Sequence, residues 1–151
     1  MAKKVADIMT KSVVMTNPEA SITDTCKLMA DKGVGSVVVV EANKLVGIVT
    51  ERDIVRRALA AGKEPTTTKI NEIMSKPVTT TTPTADVGDA TELMRLKNVR
   101  RLPVLDKNRV LVGIVTSDDI IAELPTPRTQ LIKLFGFDPR IKHGVSKLKP
   151  K

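Results

Sequence analysis

The chain contains no tryptophan and no tyrosine, and its two phenylalanines, Phe135 and Phe137, fall close together near the C-terminus. Any core must therefore be aliphatic, built from Val, Ile, Leu, Ala and Met, and 41% hydrophobic content in 151 residues is enough to make one. A single cysteine, Cys26, excludes an intramolecular disulfide and any cysteine-cluster zinc site, and it suits a reducing compartment. The single histidine, His143, is far in sequence from Cys26, which falls on the apolar face of an expected helix. With no GxxxxGK[ST] phosphate loop, no metal-ligand cluster and no nucleophile set beside a base, the chain is expected not to be an enzyme. No run approaches the roughly 18 apolar residues of a membrane span, and the opening "MAKKVADIM" lacks the apolar stretch of a secretory signal, so a cytoplasmic location is expected.

The net charge of +8 is unevenly placed. Residues 125–151 hold seven basic side chains against Asp138 alone, a net of +6, which leaves +2 for the rest. The basic character belongs to a tail, and the body has to be read without it. That tail opens with Pro125 and Pro127 and then offers Leu131, Ile132, Leu134 and Phe135, which predicts a short amphipathic helix starting near Pro127 and ending at Gly136. Its lysines and arginines could neutralise the phosphates of DNA or RNA, although no aromatic stacking set or base-reading motif accompanies them.

The body is a duplication. A shift of 65 positions aligns "DIMTKSVVMTNPEASITDTCKLM" from Asp7 with "EIMSKPVTTTTPTADVGDATELM" from Glu72 without a gap, and after one inserted residue, Val110, Gly47 aligns with Gly113. One supersecondary unit has been copied, and neither half is large enough to bury much surface alone. In each copy Ser21 or Asp86 is placed to cap a helix whose apolar positions (Ile22, Cys26, Met29; Val87, Ala90, Met94) recur at helical spacing. "SVVVV" and "LPVL" then read as strands, "EANK" and "DKNR" as polar turns, and "LVGIV" as a second strand in each copy. A second helix follows from Thr50 and Thr116, the first of these closed by Gly62. The predicted class is α+β, with repeat 1 at 5–62, a linker at 63–68, repeat 2 at 69–124 and the basic tail at 125–151. Each repeat reads as an extended lead-in strand, a helix, a β-hairpin and a helix.

The corner between second strand and second helix is nearly identical in the two copies: "GIVTERD" (47–53) and "GIVTSDD" (113–119). Thr followed three residues later by an acid is a capping signature in its own right. A strand that delivers the chain to a helix N-terminus also gathers free N–H groups suited to phosphate, and an Asp one turn in can accept from the vicinal hydroxyls of a ribose. The two roles are compatible.

These corners, together with "DIMT", "GSVVVVE" and "RRLPVLD", resemble a tandem pair of CBS domains, the modules named after cystathionine β-synthase; the likeness covers about residues 5–124. The resemblance implies a pseudo-twofold pair, or Bateman module, that senses and does not catalyse. It also implies two clefts for AMP, ADP, ATP or S-adenosylmethionine, and a homodimer acting on a protein target. Carried over by position, Asp53 and Asp119 would take ribose hydroxyls, Thr50 and Thr116 would lie near ribose or phosphate, and Ile48 and Ile114 would bound one face of adenine. Each cleft would be completed by the other copy's lead-in, Ser75 and Thr79 serving Asp53, and Thr10 and Val14 serving Asp119. Arg101, preceded by Arg100 where the first copy has Gly35 and Ser36, is expected to bring phosphate to the Asp119 site. Arg52, which stands where the second copy has Asp118, argues in the same way for the Asp53 site.

Overall fold

The computed structural model describes residues 3–125; the remaining C-terminal residues, on which the tail helix, the nucleic-acid reading and His143 fall, lie outside the described residues. The element order is α1 (Val5–Ile8), β1 (Met15–Thr16), α2 (Ile22–Lys32), β2 (Ser36–Glu41), β3 (Lys44–Thr50) and α3 (Glu51–Asp53). A π-helical segment (Ile54–Leu59) and a 3-10 turn (Ile70–Glu72) follow, then α4 (Val87–Lys97), β4 (Arg101–Leu105), β5 (Leu111–Thr116) and α5 (Ser117–Ala122).

Each copy contains the expected antiparallel hairpin, β2 with β3 and β4 with β5, and β1 adds a parallel edge to the first. The first hairpin turns through Ala42 and Asn43, both at positive φ (49° and 61°), as a two-residue turn matched to strand twist requires. The second turns through "DKNRV", where the Asp106 carboxylate accepts from the N–H groups of Asn108 and Val110 at 2.8 and 2.9 Å; this Asx-type turn accommodates the inserted residue. Ser21 caps α2, its hydroxyl accepting from Asp24 N–H at 3.0 Å, and Gly33 ends the helix at φ 64°. Asp86 holds the capping position of α4 through its backbone only, because its carboxylate is drawn instead to Lys4 Nζ at 2.6 Å.

The lead-ins contain the expected extended backbone, as β1 in the first copy, but each begins with a wound segment. Val5–Ile8 is a helical turn and Ile70–Glu72 a 3-10 turn, because each carries an apolar pair three apart, Val5 with Ile8 and Ile70 with Ile73, that must be presented on one side. The place where those pairs are buried is the main architectural fact. Ile70 and Ile73 belong to the core of the first repeat, with Ile22, Val37, Val39 and Val49. Val5 and Ile8 belong to the core of the second, with Ala90, Leu102, Val104 and Val115. The two repeats have exchanged lead-ins, so neither core is complete without the other half of the chain.

The segment read as a linker is strapped down as well. Pro65 O and Thr68 O accept from the free N–H groups of Thr23 and Ile22 at the start of α2, and Thr68 is buried.

Candidate functional site

The exchanged lead-ins run beside the second strand of the opposite hairpin. Ser75 N–H donates to Ile48 O at 2.8 Å and Ile48 N–H to Ser75 O at 3.1 Å; in the second copy Thr10 and Ile114 exchange the same pair of bonds, both at 2.9 Å. Ser75 is thus brought to the corner of Asp53, and Thr10 to the corner of Asp119. Val14 is engaged otherwise: its carbonyl accepts from Val38 N–H and its side chain packs on the core of the first repeat.

Both corners are reciprocal capping boxes. At the first, Thr50 Oγ1 accepts from Asp53 N–H at 3.2 Å while Asp53 Oδ2 accepts from Thr50 N–H at 3.0 Å. At the second, Asp119 Oδ2 accepts from Thr116 N–H at 2.9 Å and from Thr116 Oγ1 at 3.1 Å. The capping role of Thr-x-x-Asp is therefore present in both copies, with one carboxylate oxygen committed to the helix end. Asp53 Oδ1 lies 3.5 Å from Ser75 Oγ. Asp119 is buried.

A cleft of about 550 Å³ opens at the first corner. On one side stand Ile48, Thr50, Arg52 and Asp53, on another Ser75, Val78 and Thr79 of the second lead-in, and opposite them Val99, Arg100 and Arg101. The volume falls in the range of small-molecule sites, and the lining combines apolar surface with a few convergent polar groups. Every residue expected at the Asp53 site is in this wall.

Arg101, expected at the Asp119 site, is in this wall too, while its backbone pairs with Thr116 of the Asp119 corner. Arg101, the first residue of β4, reaches the first repeat just before β2, where its Nη1 lies 3.5 Å from Gly35 O. The signal was available in the sequence: Arg100 and Arg101 stand where the first copy has Gly35 and Ser36, and a large residue aligned with a small one fills the partner's volume. Arg101 lowers its own proton affinity through burial and the neighbouring Arg100, against the pull of Asp118, Glu51 and Asp53. Its Nε is buried with no hydrogen-bond partner among the described residues. A buried donor without an acceptor is costly to the fold, while the guanidinium as a whole adds positive charge to the cleft wall. Arg100 is less constrained, its Nε reaching Ser117 Oγ at 3.4 Å.

The fold defines a paired, duplicated module with a cleft of small-molecule size. The sequence pattern of the CBS domain matches residues 5–60 and again 70–126, and the chain belongs to that family. It is 38% identical over 116 residues to the CBS domain-containing protein YhcV of Bacillus subtilis, covering 77% of this chain and 81% of that protein. A protein of Methanopyrus kandleri, MK0525, is 38% identical over 122 residues, 80% of this chain; the match spans 62% of that relative's length. Among solved structures, the CBS domain pair of protein MJ0100, in complex with 5′-methylthioadenosine and S-adenosyl-L-methionine, superposes with a TM-score of 0.74 at 34% identity, covering 80% of this chain and 94% of the other. Among the described residues no group of three His, Cys, Asp or Glu side chains gathers as a metal site, and no helix is long and apolar enough to cross a membrane.

Proposed function

We propose that the chain is a non-catalytic sensor that takes an adenosine-containing ligand between its two repeats and reports the bound state to a partner protein. The observation that carries this reading is the Asp53 cleft, where a carboxylate and a cationic arginine line one space. Asp53 serves the ribose hydroxyls, Ile48 one face of adenine, and Thr50, Ser75 and Thr79 the surrounding polar contacts. Arg101, with Arg52 and Arg100 in the same wall, serves phosphate, which favours AMP, ADP or ATP there over S-adenosylmethionine. The Asp119 corner, with Thr10, Ile114 and Thr116, is the second and less cationic site; Val14, expected there, packs on the first repeat's core instead.

A ligand that bridges both repeats stabilises the arrangement in which they close on it, and any partner that reads this arrangement responds to the ligand. The same reading has the protein cytoplasmic and homodimeric, with repeats at 5–62 and 69–124. Calorimetric titration with AMP, ATP and S-adenosylmethionine, repeated on Asp53→Ala and Asp119→Ala, tests it. Saturable binding that Asp53→Ala abolishes is expected, and no binding of any of the three to the wild-type chain overturns it.

The +6 charge of residues 125–151 supports a second reading, a nucleic-acid contact through the tail. Equal DNA and RNA retention by the intact chain and by one truncated after Leu124 removes it.

A further inference from the structure

Arg57 does not line the cleft, yet it touches two of the segments that make it. Its Nη1 lies 3.2 Å from Ile73 O, 3.4 Å from Met74 O and 3.3 Å from Ser75 Oγ. Its Nε lies 3.8 Å from Asp53 Oδ1, the same oxygen that Ser75 Oγ approaches at 3.5 Å. One guanidinium thus spans the corner of the first repeat and the lead-in of the second. The rigid fork of arginine can serve several acceptors at once where a lysine is a point charge.

The helix is wound unusually at this place. Ala60 N–H donates to Val55 O at 2.9 Å, a bond spanning five residues that marks the π-wound segment Ile54–Leu59 just after Asp53. Gly62 at φ 72° then closes the helix, with Gly62 N–H donating to Leu59 O and Lys63 N–H to Ala58 O. Such segments change the angular position of the side chains they carry and recur at functional sites. In the second copy the helix after Asp119 is regular, and the position aligned with Arg57 is Glu123, which pairs with Lys3. An acid there cannot draw on Asp119 as Arg57 draws on Asp53. The Arg57 frame is built at the Asp53 corner.

We propose that Arg57 is a positioning residue that holds the Asp53 carboxylate and the Ile73–Ser75 backbone in one frame, and thereby sets recognition of ribose hydroxyls at the Asp53 cleft and not at the Asp119 corner. The proposal rests on the reading of that cleft as an adenosine site. Arg57 is half exposed, so its Coulomb attraction for Asp53 is screened, and its contribution is geometric. A carboxylate accepts from two adjacent hydroxyls only when its plane is fixed, and misplacement of a contacting group by a fraction of an ångström costs affinity.

The test is calorimetry on the intact chain with AMP and 2′-deoxy-AMP, for wild type, Arg57→Gln, Arg57→Lys and Asp53→Ala, with a melting curve for each. Wild type is expected to prefer AMP by about tenfold or more, as for one hydrogen bond to a charged group. Arg57→Gln should lose about tenfold for AMP and little for the deoxy ligand, so that the preference collapses. Arg57→Lys should recover part of it, and Arg57→Gln added to Asp53→Ala should cost nothing more. Retention of the wild-type preference by Arg57→Gln, or equal weakening of both ligands, overturns the positioning role while leaving the adenosine site standing. A wild-type chain that binds neither nucleotide overturns the adenosine reading and this proposal with it. If Arg57→Gln melts before it can be titrated, the preference of Arg57→Lys decides: unchanged, it overturns the role; reduced, it supports it.

Discussion

Met74 packs its thioether directly over Gly47: a Cβ built on that glycine would stand 2.4 Å from Met74 Sδ and 2.9 Å from its Cγ. The contact joins the second repeat's lead-in to the first repeat's β3, one residue from the Ser75–Ile48 bonds. Gly113 and Met9 repeat it in the other copy, with the Thr10 carbonyl 3.0 Å away as well. The invariant glycine of "GIVT" within this chain is therefore explained by close approach of the exchanged segment, with no need of unusual backbone angles.

Gly47→Ala should destabilise by about 1–3 kcal/mol, the usual cost of an inserted methyl in a packed site. Pairing it with Met74→Ala should cost less than the sum of the two single changes, since the overlapping atoms are then gone. Urea denaturation of the three variants measures the coupling, and strict additivity would show that the clash is relieved elsewhere. Gly113→Ala should be the more damaging of the two glycine changes, because a backbone carbonyl cannot swing aside as a thioether can.

The exchanged lead-ins make a second prediction. Ile8 is 2% exposed and Ile73 1% exposed, each inside the core of the repeat it does not belong to in sequence. Ile8→Ala and Ile73→Ala should each cost about 2–5 kcal/mol, and both should lower a single shared transition. A chain ending at Thr68 lacks Ile70 and Ile73 and should not fold alone. Two separate transitions by circular dichroism for either variant would show that the halves are independent.

The duplication, the hairpins and the helix caps were legible in the sequence because each is a local matter. Ser21 caps as read, the strands fall where β-branched runs stand, and Thr50 and Thr116 form the boxes that Thr-x-x-Asp implies. The helical form of the lead-ins was not legible. Val5–Ile8 and Ile70–Ile73 are too short to show a period, and their winding follows from the pocket that receives them in the other repeat. Asp86 stands at the N-cap as read, but that its carboxylate turns away from the helix was not legible, since the lysine that takes it comes from 82 residues away. That Arg101 lines the Asp53 cleft was not legible in the alignment of the copies either: this gives its equivalent, Ser36, but only the packing of the two repeats says what its side chain reaches.

Cys26 offers a check on the first repeat's helix. Burial pushes its thiol above the ordinary range, so at pH 8 the folded chain holds less thiolate than a free cysteine. Alkylation by iodoacetamide should be slower than for a model thiol and should accelerate on unfolding. The linkage sign follows: the folded state keeps the proton longer, so as pH rises through the ordinary thiol range the unfolded state loses it first and stability falls. The decrease should vanish in Cys26→Ala. A rate equal to that of the model thiol would show that the α2 face bearing Cys26 opens freely.

The last prediction separates what Arg101 does for the fold from what it does for a ligand. Its buried Nε has no acceptor among the described residues, and such a donor typically costs about 1–3 kcal/mol. Arg101→Met keeps most of the volume and removes the unpartnered donor, so without ligand the variant should melt at the wild-type temperature or above it. The same change should weaken AMP by roughly tenfold to a hundredfold and leave adenosine nearly unaffected, because only the phosphate has lost its partner. Thermal shifts with and without each ligand measure both effects in one experiment. If Arg101→Met weakens AMP and adenosine alike, the arginine shapes the cleft without meeting phosphate. If it lowers the melting temperature of the free protein, the bond from Arg101 Nη1 to the Gly35 carbonyl and the packing of the side chain outweigh the cost of the unpartnered Nε.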